Sequence, residues 1–259
     1  MRSFIRVGAG PALAMFLSAC AGMQGVDPSK PSSVDLLVKQ FETVTFHDEY
    51  DQKREIDRVR KWVRPVNIAL IGPLAERYRG AVERHARALS PLAGLPITVQ
   101  PARNADTNIE IHFVRWDDME KTAAPHAPNP KWLKTIIDES TCMFIFKRNA
   151  RYEIVWAMIV VSTDEPVRNT ENCLLEEMTQ ALGLPNDSEL SYASVFSQRI
   201  VAPALTPDDQ LVVRALYDAR LKPGMPKREA IAAARGILSE LRTKFLAQGP
   251  AALHQPVAR

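Results

Sequence analysis

Apolar positions along the chain fall into two periods, about 3.6 and 2, and the alternation between them outlines an α+β domain. After Pro73, the residues Leu74, Tyr78, Val82, His85 and Leu89 recur every three or four positions, which predicts a helix that stops at Ser90-Pro91. His85 lies on that apolar stripe and reads as a core-edge residue. Pro65–Ile71, Leu95–Val99 and Asn108–Val114 read as strands, as do Cys142–Phe146 and Glu153–Val161, a pair joined at Arg148–Arg151. In Asn108–Val114, Ile109, Ile111 and Phe113 face one way and Glu110 and His112 the other, as on a half-exposed strand. Val34–Tyr50 is ambiguous: a short helix, then a strand around Val44-Thr45-Phe46. A proline-rich loop covers Ala123–Pro130, and its His126 is assigned no role. Thr206-Pro207-Asp208-Asp209 is a helix start, with a capping hydroxyl, proline in the first turn and carboxylates at the positive dipole end. Pro223-Gly224 ends that element. Ile231, Ala234, Leu238, Leu241 and Phe245 then mark a last helix that packs on its own domain, and the tail after Gln248 reads as disordered.

The segment Cys173–Asn186 adds candidate chemistry. At about 100° per residue Leu174, Leu175, Met178, Ala181 and Leu182 gather on one helix face, and Glu176 and Gln180 point away from it. An ordinary amphipathic helix with a solvated polar face has this pattern. A zincin helix has it too, with histidines at i and i+4, a general-base Glu after the first, then a glycine turn and a third histidine. Here Glu176, Gln180 and Asn186 stand in the three histidine slots, with Glu177 at the base position and Gly183 at the turn. The segment resembles a metzincin zinc helix whose metal ligands have been replaced. Ala204–Tyr217 resembles the last catalytic-domain helix of matrixin-type metzincins. The Met-turn would fall within Tyr192–Ser197, where there is no methionine. The whole pattern, over roughly residues 40 to 224, is similar to a family of Gram-negative lipoproteins of unknown function related to metallopeptidases. The resemblance implies a zincin (metzincin-like) fold, a mixed twisted sheet with a central active-site-type helix and C-terminal helices.

The N-terminus changes where this domain is expected to work. Arg2 and Arg6 precede an apolar run that ends at Leu17-Ser18-Ala19-Cys20, too short to span a membrane and built as a signal peptide. Leu-Ser-Ala-Cys resembles a bacterial lipobox, which implies cleavage before Cys20 and acylation of its thiol. Ala21 after it implies outer-membrane retention. Removing residues 1–19 takes away two arginines and lowers the formal charge from +3 to +1. So small a charge calls for no nucleic acid. Cys142 and Cys173 are the cysteines left after Cys20. In an oxidising compartment they are expected to pair, two separate buried thiols being the alternative.

The expected organisation is a signal peptide (1–19), a lipidated N-terminus and flexible linker (20–33), a zincin-like domain (34–224), a C-terminal helix (225–247) and a disordered tail (248–259). Neutral amides are poor zinc ligands, and Glu177 without a metal does not make water a competent nucleophile. The expected role is therefore a non-catalytic binding or scaffold module on the periplasmic side, with no cofactor. Its partners would be the membrane, through the anchor at Cys20, and an envelope protein or peptide. The alternative is a hydrolase or peptidase in which Glu176, Glu177, Gln180, Asn186 and Asp187 hold a hard divalent cation such as Ca²⁺ or Mg²⁺. A structural envelope protein without a ligand groove is the third class.

Overall fold

Five strands form one mixed sheet in the computed structural model, which describes residues 28–47, 56–191, 193–198 and 203–257. The strands are β1 (Val66–Ile71), β2 (Ile97–Val99), β3 (Ile109–Val114), β4 (Cys142–Arg148) and β5 (Ile154–Ser162), in the order β2-β1-β3-β5-β4. All neighbours are parallel except β4, which runs antiparallel to β5 and leaves its outer edge without a strand partner among the described residues. β5 reads as a continuous apolar run because the sheet is covered on both faces.

The helices are α1 (Val34–Phe46), α2 (Ala75–Ala93), α3 (Trp116–Ala123), α4 (Pro130–Glu139), α5 (Val167–Gln180), α6 (Pro207–Leu216) and α7 (Lys227–Gln248). Residues of α1, α2, α5, α6 and α7 share the main core. Those of α3 and α4 enclose a smaller one around Met143, Met158 and Val160 on the other face. Cys142, at the start of β4, is bridged to Cys173 in α5 with the two Cα atoms 6.1 Å apart, so the expected disulfide is present.

Five elements differ from the sequence reading. Val44–Phe46 is the last turn of α1, not a strand, because Leu37, Phe41, Val44 and Thr45 all bury one side of a helix that Ser33 caps. α2 runs through Pro91, since a proline in the final turn removes a single donor and Gly94, at φ 66°, closes the end by donating to Ser90 O. α3 and α4 flank the proline-rich stretch, and α4 starts where the Asn129 side chain accepts from Trp132 N and Pro130 takes the first helical position. The described part of the tail, 249–257, is held in place: Pro250–Leu253 is a 3-10 turn with Leu253 buried, and Gln255 donates to the carbonyls of Pro91 and Leu92 at the end of α2.

Candidate functional site

The C-terminal end of α5 carries the residues singled out by the sequence, and it is buried almost all round. Leu174, Leu175, Met178, Ala181 and Leu182 face the core as expected, but Glu177, Thr179 and Gln180 are at most 3% exposed as well. A solvated polar face is therefore ruled out there. Glu176 alone among the motif residues of the helix remains partly open. The orphan carbonyls beyond the helix are capped from another layer. Trp62 Nε1 donates to Ala181 O (2.9 Å) and the Tyr217 hydroxyl to Leu182 O (2.9 Å). Burial pushes the Tyr217 hydroxyl up, so it stays a donor. Lys61 in turn donates to Leu216 O and Asp218 O at the end of α6, and burial lowers its ammonium to about 8.

Gly183 has a positive φ of 113°, and a Cβ there would lie 2.2 Å from Arg60 O. The chain turns on this residue and returns a polar strip toward α5 and α1. Asp187 accepts from Gln180 Nε2 (2.8 Å) and Gln198 Nε2 (2.6 Å). Asn186 Nδ2 donates to Thr43 O (3.2 Å) and Asp187 O (2.7 Å), and Ser188 Oγ to Gln40 Oε1 (2.6 Å). Gln180, Asn186 and Asp187 are thus brought together, with their amides donating to Asp187 and to the backbone of α1. Among the described residues no group of three or more His, Cys, Asp or Glu is placed to hold a metal ion. In the segment expected to hold the Met-turn, Tyr192 lies outside the described residues and Val195 and Phe196 fill the core. Asp209 fastens this loop: it accepts from Ser194 Oγ, Val195 N, Thr206 N and Thr206 Oγ1. Complete burial still raises its carboxyl to about 6.

A groove of about 270 Å³ lies at the outer edge of β4, lined by Trp132, Phe144, Phe146, Arg60, Lys147 and Arg148 and reaching Pro185 just past the Gly183 turn. Glu176, Glu177 and Gln180 are not in its lining. The Arg60 guanidinium sits over the Phe146 ring at 4.9 Å, and Lys147 Nζ over Trp156 at 4.7 Å. Lys147 Nζ is also 3.2 Å from Nδ1 of His126, whose ring lies against Trp156 and whose pKa is lowered by burial and then by the Lys147 charge. The sequence reading missed this groove. Its signal was the aromatic-aromatic-cation alternation Phe144, Phe146, Arg148 on a strand that turns out to be an edge. Glu110 and His112 pair with each other (3.2 Å), and Glu110 also with Arg103 (2.8 Å), which accounts for them without a ligand.

Cys20 and the expected leader lie outside the described residues, and no described helix is long and apolar enough to cross a membrane. A family described as a protein of unknown function (DUF2927) matches residues 35–236, more than three quarters of the chain, from α1 into α7. No curated protein matches it.

Proposed function

The chain belongs to the DUF2927 family, and on that premise we propose that it is a lipid-anchored, periplasm-facing envelope protein whose zincin-like domain holds an extended peptide without cleaving it.

 The groove at the unpaired edge of β4 carries this role. An extended peptide can add a strand there, its backbone meeting the free N–H and C=O groups of β4 while Phe144, Phe146 and Trp132 offer apolar contacts. Arg60, Lys147 and Arg148 favour acidic side chains on such a peptide.

The zincin-like part of the proposal is supported by element order: a strand, a helix, several strands of which β4 is antiparallel, then the α5 helix and a turn that only glycine fits. The non-catalytic part is supported by Gln180 and Asn186, whose amides donate to Asp187 and to backbone. These residues do not make a fit for zinc, since a neutral amide oxygen is a weak ligand beside imidazole or carboxylate. A hydrolase working through Glu177 has no comparable support, because that side chain is 3% exposed and outside the groove.

The test is calorimetric titration of the purified protein with extended peptides that combine acidic and aromatic residues. Binding is expected to be lost on N-methylation of the peptide backbone and weakened about tenfold or more by Phe146→Ala. Peptides that bind equally well after both changes, or none that bind at all, would remove the groove from the function.

A further inference from the structure

The residues that lead into the domain are fastened beside a basic stripe. Ser32 N and Oγ both donate to Asp208 at the start of α6 (2.8 and 2.6 Å), and Arg242 Nε of α7 donates to Ser32 O (2.6 Å). The expected flexible linker therefore ends by Ser32. From there α1 runs along α7, with Arg235 paired to Asp35 (2.6 Å) and Lys227 to Glu42 (3.2 Å).

Arg228, Arg235 and Arg242 recur every seven residues of α7, which places them on one stripe. The stripe borders α1, where Lys39 is exposed, and Lys30 is exposed just before α1 begins. Asp35 pairs into it through Arg235, and Glu42, on the same face of α1 as Asp35 and Lys39, pairs with Lys227 at its margin. Glu229 and Glu240 stand about 120–140° further round α7, where Glu240 pairs with Arg220 (2.9 Å).

We propose that the α1–α7 stripe of Lys30, Lys39, Arg228, Arg235 and Arg242 docks on an anionic bilayer surface and sets the orientation of the domain on the membrane. The inference rests on the lipid anchor at Cys20 proposed above. Twelve residue steps separate Cys20 from Ser32, so the anchored domain stands within about 40 Å of the bilayer even with that segment fully extended. The fastening of Ser32 keeps the end of the tether on the stripe's own side. Clustered cations near a membrane gain about fivefold in partitioning each on anionic lipid, an effect that fades within a Debye length and with added salt.

The experiment compares sedimentation of the full chain with vesicles of phosphatidylcholine alone and of phosphatidylcholine mixed with phosphatidylglycerol. Every variant carries Cys20→Ala, so no acyl chain contributes and the leader is common to all. A preference for the anionic vesicles of about tenfold or more, weakened by salt, is expected. It should be lost in Lys39→Glu/Arg228→Glu/Arg235→Glu and kept in Lys121→Glu/Lys131→Glu, whose charges lie on α3 and α4 across the sheet. If the reversal variant melts abnormally, the neutralising set Lys39→Gln/Arg228→Gln/Arg235→Gln replaces it, with the same loss expected. Equal preference in the two sets, or none in the parent, would overturn the proposal. Acylation is read separately, from the mass of the processed wild-type chain, so an unacylated Cys20 would count against the anchor and not against the stripe.

Discussion

A side chain at position 183 would meet two obstacles, a φ of 113° and the Arg60 carbonyl 2.2 Å from its Cβ. Gly183→Ala should therefore lower stability by about 2 kcal/mol or more, read as a shifted urea midpoint at unchanged slope. The importance of this glycine was legible from its spacing after Gln180. The burial of Gln180 and Glu177 was not, because a helical wheel does not show the loop and α1 that cover the second face. Two buried residues also set opposing pH dependences. Burial lowers His85 from 6.5 to about 4, so between those values the unfolded chain binds a proton that the folded chain refuses, and stability falls as pH falls. Asp209, raised from 3.8 to about 6, binds its proton first in the folded state, and its contribution to stability rises as pH falls through that window. The two largely offset each other between pH 6 and 4. In His85→Gln the offset should disappear, and the variant's stability relative to wild type should rise by on the order of 2 kcal/mol over that range. Parallel curves for the two proteins in denaturant titrations at both pH values would show that His85 is not held neutral.

Long, regular elements were the legible ones: α2, β1, β3, the β4–β5 pair, α6 and α7 all follow from hydrophobic period and caps. The short helices α3 and α4 were hidden by the prolines between them, although Asn129-Pro130 is a helix-start signal. The cysteine count suggested the bridge between β4 and α5, and the fold supplies the distance. The bridge joins the edge strand that lines the groove to the helix behind it. Cys142→Ser/Cys173→Ser should cost roughly 3–4 kcal/mol, measured by denaturation against the oxidised wild type. A loss below about 1 kcal/mol would mean that packing of α5 on β4 already holds the two elements together. Geometry at the end of α5 can be probed with Glu176→His/Gln180→His/Asn186→His. If the turn is metzincin-like, the triple variant should bind zinc well beyond the level of each single variant, with Asp187, now bonded to Gln180, positioned to orient the new imidazole. Zinc titration showing no gain over the single variants would separate this turn from a metzincin one.

For the molecule as a whole, the fold and the proposed tether have to agree. The sheet is covered by α2 and α5 on one face, with α1, α6 and α7 packed behind them, and by α3 and α4 on the other, and the chain enters on the α1–α7 side, where Asp208 and Arg242 grip Ser32. This arrangement was illegible in the sequence, since the residues around Ser32 have linker composition and Asp208 read only as a helix-start carboxylate. A leader is expected from the basic start, the apolar run and Leu17-Ser18-Ala19-Cys20, a segment that lies outside the described residues. Acyl chains each bury many methylenes at about 0.8 kcal/mol apiece, far more than a shallow basic stripe contributes, so the anchor should decide whether the protein stays on the membrane and the stripe how it lies there. Cys20→Ala is accordingly expected to misprocess the leader or release the chain from the membrane fraction, while wild type remains there after a high-salt wash. Fractionation together with the mass of the N-terminal peptide checks both. A Cys20→Ala chain cut at the same site and retained at the wild-type level would refute acylation, and would leave attachment to the stripe or to an envelope partner.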